Sequence, residues 1–229
     1  MKQGAGKILH LEQERYLERL MPPRDALVRE MDQLAAEQKV PISDPEVGRL
    51  LSILARSLGA RRILEIGTAI GYGALHLARG AAEAHVVSID IDPERLAIAR
   101  AYLERAGVAN RVELVAGEAL AVLAHLEGPF DLVYVDAVKT DYRRYLDLSL
   151  PKVRVGGMIV IDNLLWGGEV ANPNDEGDQP SDKNADALRA FNPYLMIHPQ
   201  LEAVILPLGD GVGLATKTRP LVTERGGPF

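Results

Sequence analysis

The chain has 229 residues, 47% hydrophobic and 25% charged, as is typical of a folded globular protein, and no apolar run reaches the length of a membrane span. Its 26 Lys and Arg residues and 32 Asp and Glu residues give a net charge of −6, which disfavours extended binding to nucleic acid or an anionic membrane. Because cysteine is absent, disulfides, thiolate nucleophiles and cysteine-ligated metal sites are excluded, and any metal must take oxygen or histidine ligands.

Residues 1–40 are predicted to form a helical extension. Apolar residues recur at helical spacing between Leu17 and Leu34, with an interruption at Pro22-Pro23. This stretch carries more apolar surface than a free extension should expose, so we expect it to pack on a second subunit in a homodimer, with packing on its own domain as the alternative. Because the first residues lack the apolar segment of a secretory signal, we also expect a cytoplasmic location.

Residues 41–219 are predicted to form one α/β domain, followed by a tail at 220–229. Ser43 or Asp44 can cap a first helix that ends near Gly59. Seven strand-like runs follow, namely Arg62–Ile66, His85–Asp90, Val112–Ala116, Phe130–Asp136, Met158–Asp162, Leu201–Pro207 and Val212–Lys217. Helical stretches after the first five runs predict a Rossmann-like, mostly parallel sheet with helices on both faces. The last two runs are joined by so short a segment that they must be antiparallel.

The turn after the first strand has the composition of a ligand-binding loop. Gly67, Gly71 and Gly73 allow a sharp turn and close approach of a ligand to a helix N-terminus. The spacing fits neither a dinucleotide fingerprint nor a phosphate loop, because alanine and tyrosine stand where those motifs require glycine. Glu65 adds a negative charge that favours a cationic ligand, and Asp90 ends the second strand where α/β nucleotide sites hold ribose hydroxyls. The alternative is a plain strand–helix turn, which would not need these glycines and acids.

Two later strands end in polar side chains. Asp136 ends the fourth strand and is followed by Lys139, while Asp162 and Asn163 end the fifth. Neighbouring parallel strands bring such ends together, and the three oxygen donors suit Mg²⁺, Mn²⁺ or Ca²⁺. Helix capping by the aspartates is the alternative. Trp166 follows in a Gly-rich loop and is expected either to form a substrate-facing wall or to pack in the core.

These motifs resemble those of the class I, cation-dependent O-methyltransferases that use S-adenosylmethionine, of the caffeoyl-CoA and catechol type. The resemblance extends from about residue 43 to residue 217. It rests on Leu64-Glu65-Ile66-Gly67-Thr68 with Gly71-Tyr72, on Asp90-Ile91-Asp92, on Tyr134-Val135-Asp136-Ala137 with Lys139 and Tyr142, on Asp162-Asn163-Leu164-Leu165-Trp166, and on Leu206-Pro207 with Gly209-Asp210-Gly211. The Asp-x-x-Lys and Asp-Asn-x-x-Trp pieces are far more specific than the glycine loop.

The resemblance implies S-adenosylmethionine as cofactor and Mg²⁺, or Mn²⁺ or Ca²⁺, as metal ion. It implies a cofactor site lined by Ser43, Glu65, Gly67, Thr68, Gly73, Asp90, Ala119 and Asp136. It further implies Asp136, Asp162 and Asn163 as metal ligands, Lys139 and Asp136 as catalytic residues, and Lys139 and Trp166 as substrate contacts. One departure is Gly73, because the family usually has serine there. A backbone N–H or a water molecule must then replace that hydroxyl at the methionyl carboxylate.

We therefore expect methyl transfer to one hydroxyl of a vicinal diol in a small hydroxylated aromatic molecule such as a catechol or caffeoyl ester. The two oxygens would chelate the metal, and the oxyanion would attack the sulfonium methyl. Lys139 would either accept the hydroxyl proton or merely orient the substrate. A tRNA 5-hydroxyuridine O-methyltransferase is an alternative that the acidic composition disfavours. A non-catalytic nucleotide-binding module is another, which the intact polar residues disfavour. The predicted loop at residues 172–183 would help shape the acceptor pocket, but it matches no motif and leaves the acceptor open.

Overall fold

The structure is a computed structural model that describes residues 11–171 and 182–219. Its helices in these ranges are α1 (Leu11–Leu20), α2 (Ala26–Gln38), α3 (Pro45–Ser57), α4 (Tyr72–Gly80), α5 (Pro93–Arg105), α6 (Ala119–His125), α7 (Tyr142–Ser149) and α8 (Lys183–Met196). Its strands are β1 (Arg62–Ile66), β2 (His85–Asp90), β3 (Val112–Ala116), β4 (Phe130–Val135), β5 (Val153–Ile161), β6 (Leu201–Leu206) and β7 (Val212–Lys217). Within the described ranges, no helix combines the length and apolar character that crossing a membrane requires.

The strands form one mixed sheet in the order β3-β2-β1-β4-β5-β7-β6. Strands β1 to β5 pair in parallel, whereas β7 is antiparallel to both β5 and β6. A helix follows each of the five parallel strands, because parallel neighbours need a crossover connection. The predicted Rossmann-like sheet and its antiparallel last pair are therefore confirmed.

The fifth strand is longer than the sequence predicts. It begins at Val153, which pairs with Phe130, and the register shifts before Met158 pairs with Leu132. Gly156, with φ of +76°, lies in the irregular stretch between these two pairings. A glycine at a bulge interrupts the apolar run from which a strand is predicted, so the sequence pattern reveals only the regular second half.

Helices cover both faces of the sheet, and each face has its own buried cluster. One cluster joins the sheet to α2, α3, α4 and α5, and the other joins it to α6, α7 and α8. The chain proceeds outward from β1 through β2 to β3, then returns to β4 beside β1 and proceeds the other way. The order of strands thus reverses between β1 and β4, and the carboxyl ends of strands at such a point are the usual ligand site of open α/β sheets.

The helical extension is divided between two environments. Helix α2 buries Val28, Met31 and Ala35 in the core of its own domain. Helix α1 has no buried residue, and Leu17 and Leu20 are 51% and 59% exposed. For α2 the structure therefore agrees with the alternative, packing on its own domain. The domain boundary at residue 40 stays a prediction, and the predicted tail and most of the predicted long loop lie outside the described residues.

Candidate active site

Four strand ends meet at the point where the strand order reverses. The backbone N–H of Asp136 donates to the carbonyl of Ile66 at 2.9 Å, which continues the β1–β4 ladder past the end of both strands. The N–H of Asp162 donates to the carbonyl of Val135 at 3.0 Å, and the N–H of Gly67 donates to the carbonyl of Ile89 at 2.9 Å. The turns after β1, β2, β4 and β5 are therefore held against one another.

Position 67 requires a glycine because the turn after β1 approaches the turn after β4 closely. Its φ is +102°, and a Cβ built there would lie 2.0 Å from the backbone oxygen of Asp136. The turn continues to Gly71, which has φ of +86° and occupies the N-cap position of α4. The first N–H groups of a helix have no partner within it, so the turn leaves donors at the N-terminus of α4 for a ligand.

Behind this turn lies a buried chain of polar side chains. Thr68 Oγ1 lies 2.6 Å from Ser88 Oγ, and Ser88 Oγ in turn donates to Glu65 Oε2. The second oxygen of Glu65, Oε1, is buried and faces the N–H of Ala74 in the first turn of α4, but no group among the described residues meets hydrogen-bond geometry with it. Burial raises the pKa of Glu65 to about 8. The hydrogen bond from Ser88 lowers this pKa in part, and the negative charge of Asp136 raises it further. An orphaned, buried carboxyl oxygen fits the amino group of a cationic cofactor.

Asp90 presents a carboxylate beside the same turn. Its Oδ2 accepts from the N–H of Ala69 at 2.7 Å and its Oδ1 accepts from the N–H of Asp92 at 3.0 Å. The side chain is half-buried, and each oxygen keeps a lone pair for a further donor. Asp90 can therefore hold the two hydroxyls of a ribose.

The start of α6, where Ala119 stands, is brought towards the end of β2 because two loops are joined. The N–H of Gly117 donates to the carbonyl of Asp90 at 2.9 Å, which brings the start of α6 to the end of β2. Glu118 caps this helix by accepting from the N–H groups of Leu120 and Ala121. The first turn of α6, which contains Ala119, therefore begins close to the end of β2, and the adenine contact of Ala119 stays a prediction.

The predicted metal ligands gather on the other side of Asp136. Asp162 is 1% exposed, and burial, followed by the charge of Asp136, raises the pKa of its carboxyl group well above the usual range. Asn163 follows with φ of +64°, and its Nδ2 donates to Asp210 Oδ2 at 3.5 Å. Since the amide nitrogen faces Asp210, the amide oxygen of Asn163 is left for another partner.

This donor set fits a hard divalent cation. Among the residues that the structure describes, no group of three His, Asp or Glu side chains is arranged to hold a metal ion. The third donor here is the amide of Asn163, which accompanies the carboxylates of Asp136 and Asp162. Carboxylate and amide oxygens are the ligands that Mg²⁺, Mn²⁺ and Ca²⁺ prefer, so the residues present suit one of these ions.

Lys139 occupies a restricted position beside the two carboxylates. Its Nζ donates to Asp136 Oδ1 at 2.7 Å, and its side chain is 10% exposed. The Nζ atom also lies 5.2 Å from the ring centroid of Tyr142 and 5.8 Å from that of Trp166. Trp166 is half-buried against the core, and its Nε1 donates to Asp182 Oδ2 at 2.7 Å. Trp166 thus packs on the core and borders the Lys139 amine, and its role as a substrate-facing wall stays a prediction.

The family of the protein can be assigned from comparison with known sequences. A sequence profile described as O-methyltransferase matches residues 21–218. The chain belongs to this O-methyltransferase family. It is 40% identical over 161 residues to a catechol O-methyltransferase of Mycobacterium tuberculosis, covering 69% of this chain and 70% of that protein. It is 35% identical over 181 residues to a caffeoyl-CoA O-methyltransferase of Petroselinum crispum, covering 74% of each.

Structural comparison agrees with this assignment. The O-methyltransferase TomG of Streptomyces achromogenes, solved in complex with S-adenosylmethionine, superposes with a TM-score of 0.79 at 34% identity. The shared region covers 92% of this chain and 100% of that one. The resemblance inferred from the sequence motifs is thereby confirmed, and so is the fold. Transfer of a methyl group to an oxygen atom is the activity that this family name states.

Three polar residues of the site were not predicted as functional. Ser88 supports Glu65, Tyr134 donates to Asp162 Oδ2 at 2.9 Å, and Asp210 accepts from Asn163 and from the N–H of a neighbouring loop glycine. Ser88 and Tyr134 each stand two residues before a strand-end aspartate, so the strand period places them on the same face as that aspartate. A hydroxyl at this position of an otherwise apolar strand is the signal that could have found them.

Proposed function

We propose that this O-methyltransferase uses S-adenosylmethionine and a divalent cation, Mg²⁺ in the first place, to methylate one hydroxyl of a vicinal diol in a small aromatic molecule. One observation carries the proposal. Asp136 lies against the Gly67 turn, where a cofactor fits. It also accepts a hydrogen bond from Lys139, and its charge raises the pKa of Asp162. A cofactor site, a cation site and a candidate base thus share one residue.

The cofactor supplies an electrophilic methyl group on a sulfonium centre. On this chain, Glu65 Oε1 takes its amino group, the first N–H groups of α4 take its carboxylate, and Asp90 takes the ribose hydroxyls. Ser43, Thr68 and the backbone of Ala119 complete the pocket. The complex of TomG with S-adenosylmethionine supports this choice of cofactor for a chain of the same fold.

A bound divalent cation supplies positive charge that makes a nearby substrate hydroxyl more acidic. Asp136, Asp162 and Asn163 hold the cation. Lys139, in its neutral amine form, receives the hydroxyl proton at Nζ and becomes the ammonium partner of Asp136. The ring of Trp166 borders that amine and forms one wall for the aromatic substrate. The names of the two relatives, a catechol and a caffeoyl-CoA O-methyltransferase, support a vicinal diol as acceptor. They do not favour the tRNA alternative.

The decisive experiment is transfer of labelled methyl from S-adenosylmethionine to a panel of catechols, caffeoyl esters and bulk tRNA, with Mg²⁺ or with chelator. We expect transfer to the catechols or caffeoyl esters, its loss in chelator and its recovery with Mg²⁺ or Mn²⁺. Asp162→Ala should remove activity while the circular dichroism spectrum is retained. Asp147→Ala is the matched control, because this α7 carboxylate is 47% exposed, and the variant should stay active. Full turnover by the metal-free protein would contradict cation dependence.

We also propose that the protein forms a homodimer through α1. The exposed Leu17 and Leu20 of this helix support the proposal, because both side chains would be covered by a second copy. Light scattering at micromolar concentration should give the mass of two chains, and Leu17→Glu with Leu20→Glu should give the mass of one. A monomeric mass for the unaltered chain would reject the dimer. The cytoplasmic location stays a prediction.

A further inference from the structure

Three buried side chains form a hydrogen-bonded line between the two halves of the site. Ser43 Oγ lies 2.8 Å from Tyr134 Oη, and Tyr134 Oη donates to Asp162 Oδ2 at 2.9 Å. Ser43 is 8% exposed, while Tyr134 and Asp162 are each 1% exposed. Tyr134 therefore touches a residue expected at the cofactor and a residue expected at the cation.

The number of hydroxyl protons determines which group donates and which accepts in each of these two hydrogen bonds. A carboxylate that holds a cation is ionised and can only accept hydrogen bonds. The single phenolic proton of Tyr134 then goes to Asp162, so the hydroxyl of Ser43 must donate to Tyr134 Oη. With its own proton committed, Ser43 Oγ can offer a ligand only lone pairs. Ser43 is thereby made an acceptor, which suits the amino group of a cofactor and not its carboxylate.

The remaining contacts of Asp162 show why this hydroxyl matters. Oδ1 of Asp162 accepts from the N–H of Asn163 at 2.7 Å, so the carboxylate is held at one oxygen by the backbone and at the other by Tyr134. Tyr134 is itself confined, because it pairs with Glu65 in the sheet and its ring lies 3.2 Å from where a Cβ of Gly73 would be. The ring that carries this hydroxyl is thus held between β1 and the first turn of α4.

We propose that Tyr134 is a positioning residue for both halves of the site: its hydroxyl orients Asp162 for the cation and commits Ser43 to accept from the cofactor amino group. This inference rests on the proposed function, because it assumes a cation at Asp162 and an S-adenosylmethionine-like ligand beside Ser43. Tyr134 touches neither reacting group and acts through its two neighbours.

Tyr142 supplies a matched control. Its hydroxyl donates at 3.0 Å to the backbone oxygen of the same Asp162, and its side chain is as buried as that of Tyr134. Tyr142→Phe therefore removes a buried phenol hydroxyl next to Asp162 without touching the carboxylate or Ser43. A general loss of packing or stability should affect the two tyrosine variants alike, whereas an effect on Asp162 orientation should affect only Tyr134→Phe.

The test uses binding measurements on the full chain. Mn²⁺ affinity is measured from the electron paramagnetic resonance signal of the free ion, and calorimetry compares S-adenosylhomocysteine with its deaminated analogue. We expect Tyr134→Phe to weaken Mn²⁺ binding by about 3- to 10-fold and to reduce the preference for the amino-bearing ligand by a similar factor. Ser43→Ala should reduce only that preference, and Tyr142→Phe should change neither quantity.

The outcomes separate this inference from the proposed function. Unaltered Mn²⁺ affinity or unaltered ligand preference in Tyr134→Phe, with binding by the wild-type protein intact, would overturn the role of Tyr134 alone. An unchanged preference in Ser43→Ala would overturn it as well, and this variant decides the matter if Tyr134→Phe does not fold. A wild-type protein that binds neither Mn²⁺ nor S-adenosylhomocysteine would overturn both the inference and the proposed function.

Discussion

Gly73 and Glu65 occupy adjoining space, such that a Cβ on Gly73 would lie 2.1 Å from Glu65 Oε1. The resembling family usually has serine at this position, and here the carboxyl group fills the space that a serine side chain would need. The two positions are therefore coupled. Glu65 can adopt its observed orientation only because residue 73 is glycine. In this orientation one carboxyl oxygen accepts from Ser88 and the other faces the first turn of α4.

Restoring the serine should therefore harm this protein. In Gly73→Ser the carboxyl group of Glu65 must turn, which disrupts its hydrogen bond with Ser88, and overpacking of this kind costs about 1–3 kcal/mol. We expect a lower melting temperature and weaker binding of S-adenosylhomocysteine, measured by calorimetry. Gly73→Ala is the control, since it adds the Cβ without a hydroxyl and should behave alike. Tighter ligand binding by the serine variant than by the wild type would contradict this account.

The buried carboxyl of Glu65 should make the ligand-free protein less stable as the pH rises. The folded pKa of about 8 exceeds the ordinary value of 4.5, so between these values the unfolded chain loses its proton while the folded chain keeps it. The free energy of unfolding should fall across this range, by an amount on the order of 5 kcal/mol, and level off above pH 8.

Urea denaturation of Glu65→Gln from pH 5 to pH 9 checks this expectation. The variant should lose most of the slope and be the more stable protein at pH 8. Glu30→Gln is the control, because the exposed Glu30 pairs with Arg105 and its pKa is lowered, so the slope should remain in this window. Parallel pH profiles of the wild type and Glu65→Gln would show that the carboxyl is ionised when folded.

Asp90 should contribute to affinity for the cofactor ribose. Asp90→Ala is expected to weaken S-adenosylmethionine binding by roughly 1.5–3 kcal/mol, the range for hydrogen bonds to a charged group. Calorimetry with an analogue that lacks the ribose hydroxyls should show a much smaller loss. The control is Asp92→Ala, because Asp92 caps α5 and its removal should lower stability but not affinity. An equal loss for both ligands would place the ribose elsewhere.

Asp210 should determine how well Asn163 presents its amide oxygen. The Asp210 carboxylate accepts from Asn163 Nδ2 and from the N–H of Gly167, so it holds both the amide and its loop. In Asp210→Asn the new amide can donate to Asn163 Oδ1, the oxygen proposed to bind the cation. This variant should weaken Mn²⁺ binding by about 10-fold and weaken S-adenosylhomocysteine binding by less. Asp131→Asn, at the opposite end of the sheet, is the control. Unchanged Mn²⁺ affinity would leave Asp210 with a structural role only.

The sequence predicts the sheet well because its strands are short runs rich in apolar residues that end at turn-forming or acidic residues. All seven runs correspond to strands, and only the glycine-interrupted start of β5 was missed. The site is predicted less completely. Strand-end acids such as Asp90 and Asp136 are visible in the sequence, since turn position and charge mark them.

The hydrogen-bond partners of Ser88 and Tyr134 and the packing of helices α1 and α2 could not be predicted from the sequence in this way. Ser88 and Tyr134 act across strands that are distant in sequence, and a hydroxyl in a strand gives no indication of its partner. Leu17 and Met31 have the same helical periodicity, yet one is exposed and the other is fully buried. Periodicity marks an apolar face but does not specify which surface covers it, because that depends on long-range packing.

The proposed reaction predicts a strict preference for two adjacent oxygens on the acceptor. If Asp136, Asp162 and Asn163 are three ligands of an octahedral cation, positions remain for both oxygens of a vicinal diol. A matching monophenol, equal in size and in stacking on Trp166, lacks one of these contacts and is held less accurately. Misplacement of a reacting atom by about 1 Å can lower a rate on the order of 100-fold.

Rates of methyl transfer to catechol and to phenol analogues at saturating cofactor test this preference. We expect the diol to react on the order of 100-fold faster. Lys139→Ala should lower turnover of the diol with little change in affinity for S-adenosylhomocysteine, because the proposed reaction uses the amine on the acceptor while its partner Asp136 remains. Arg144→Ala, at an exposed cation of α7 that pairs with Asp141, is the matched control and should retain turnover. Similar rates for catechol and phenol would mean that the acceptor is not held by two oxygens. Asp136, Asp162 and Asn163 would then form either a structural cation site or a hydrogen-bonded network at the strand ends.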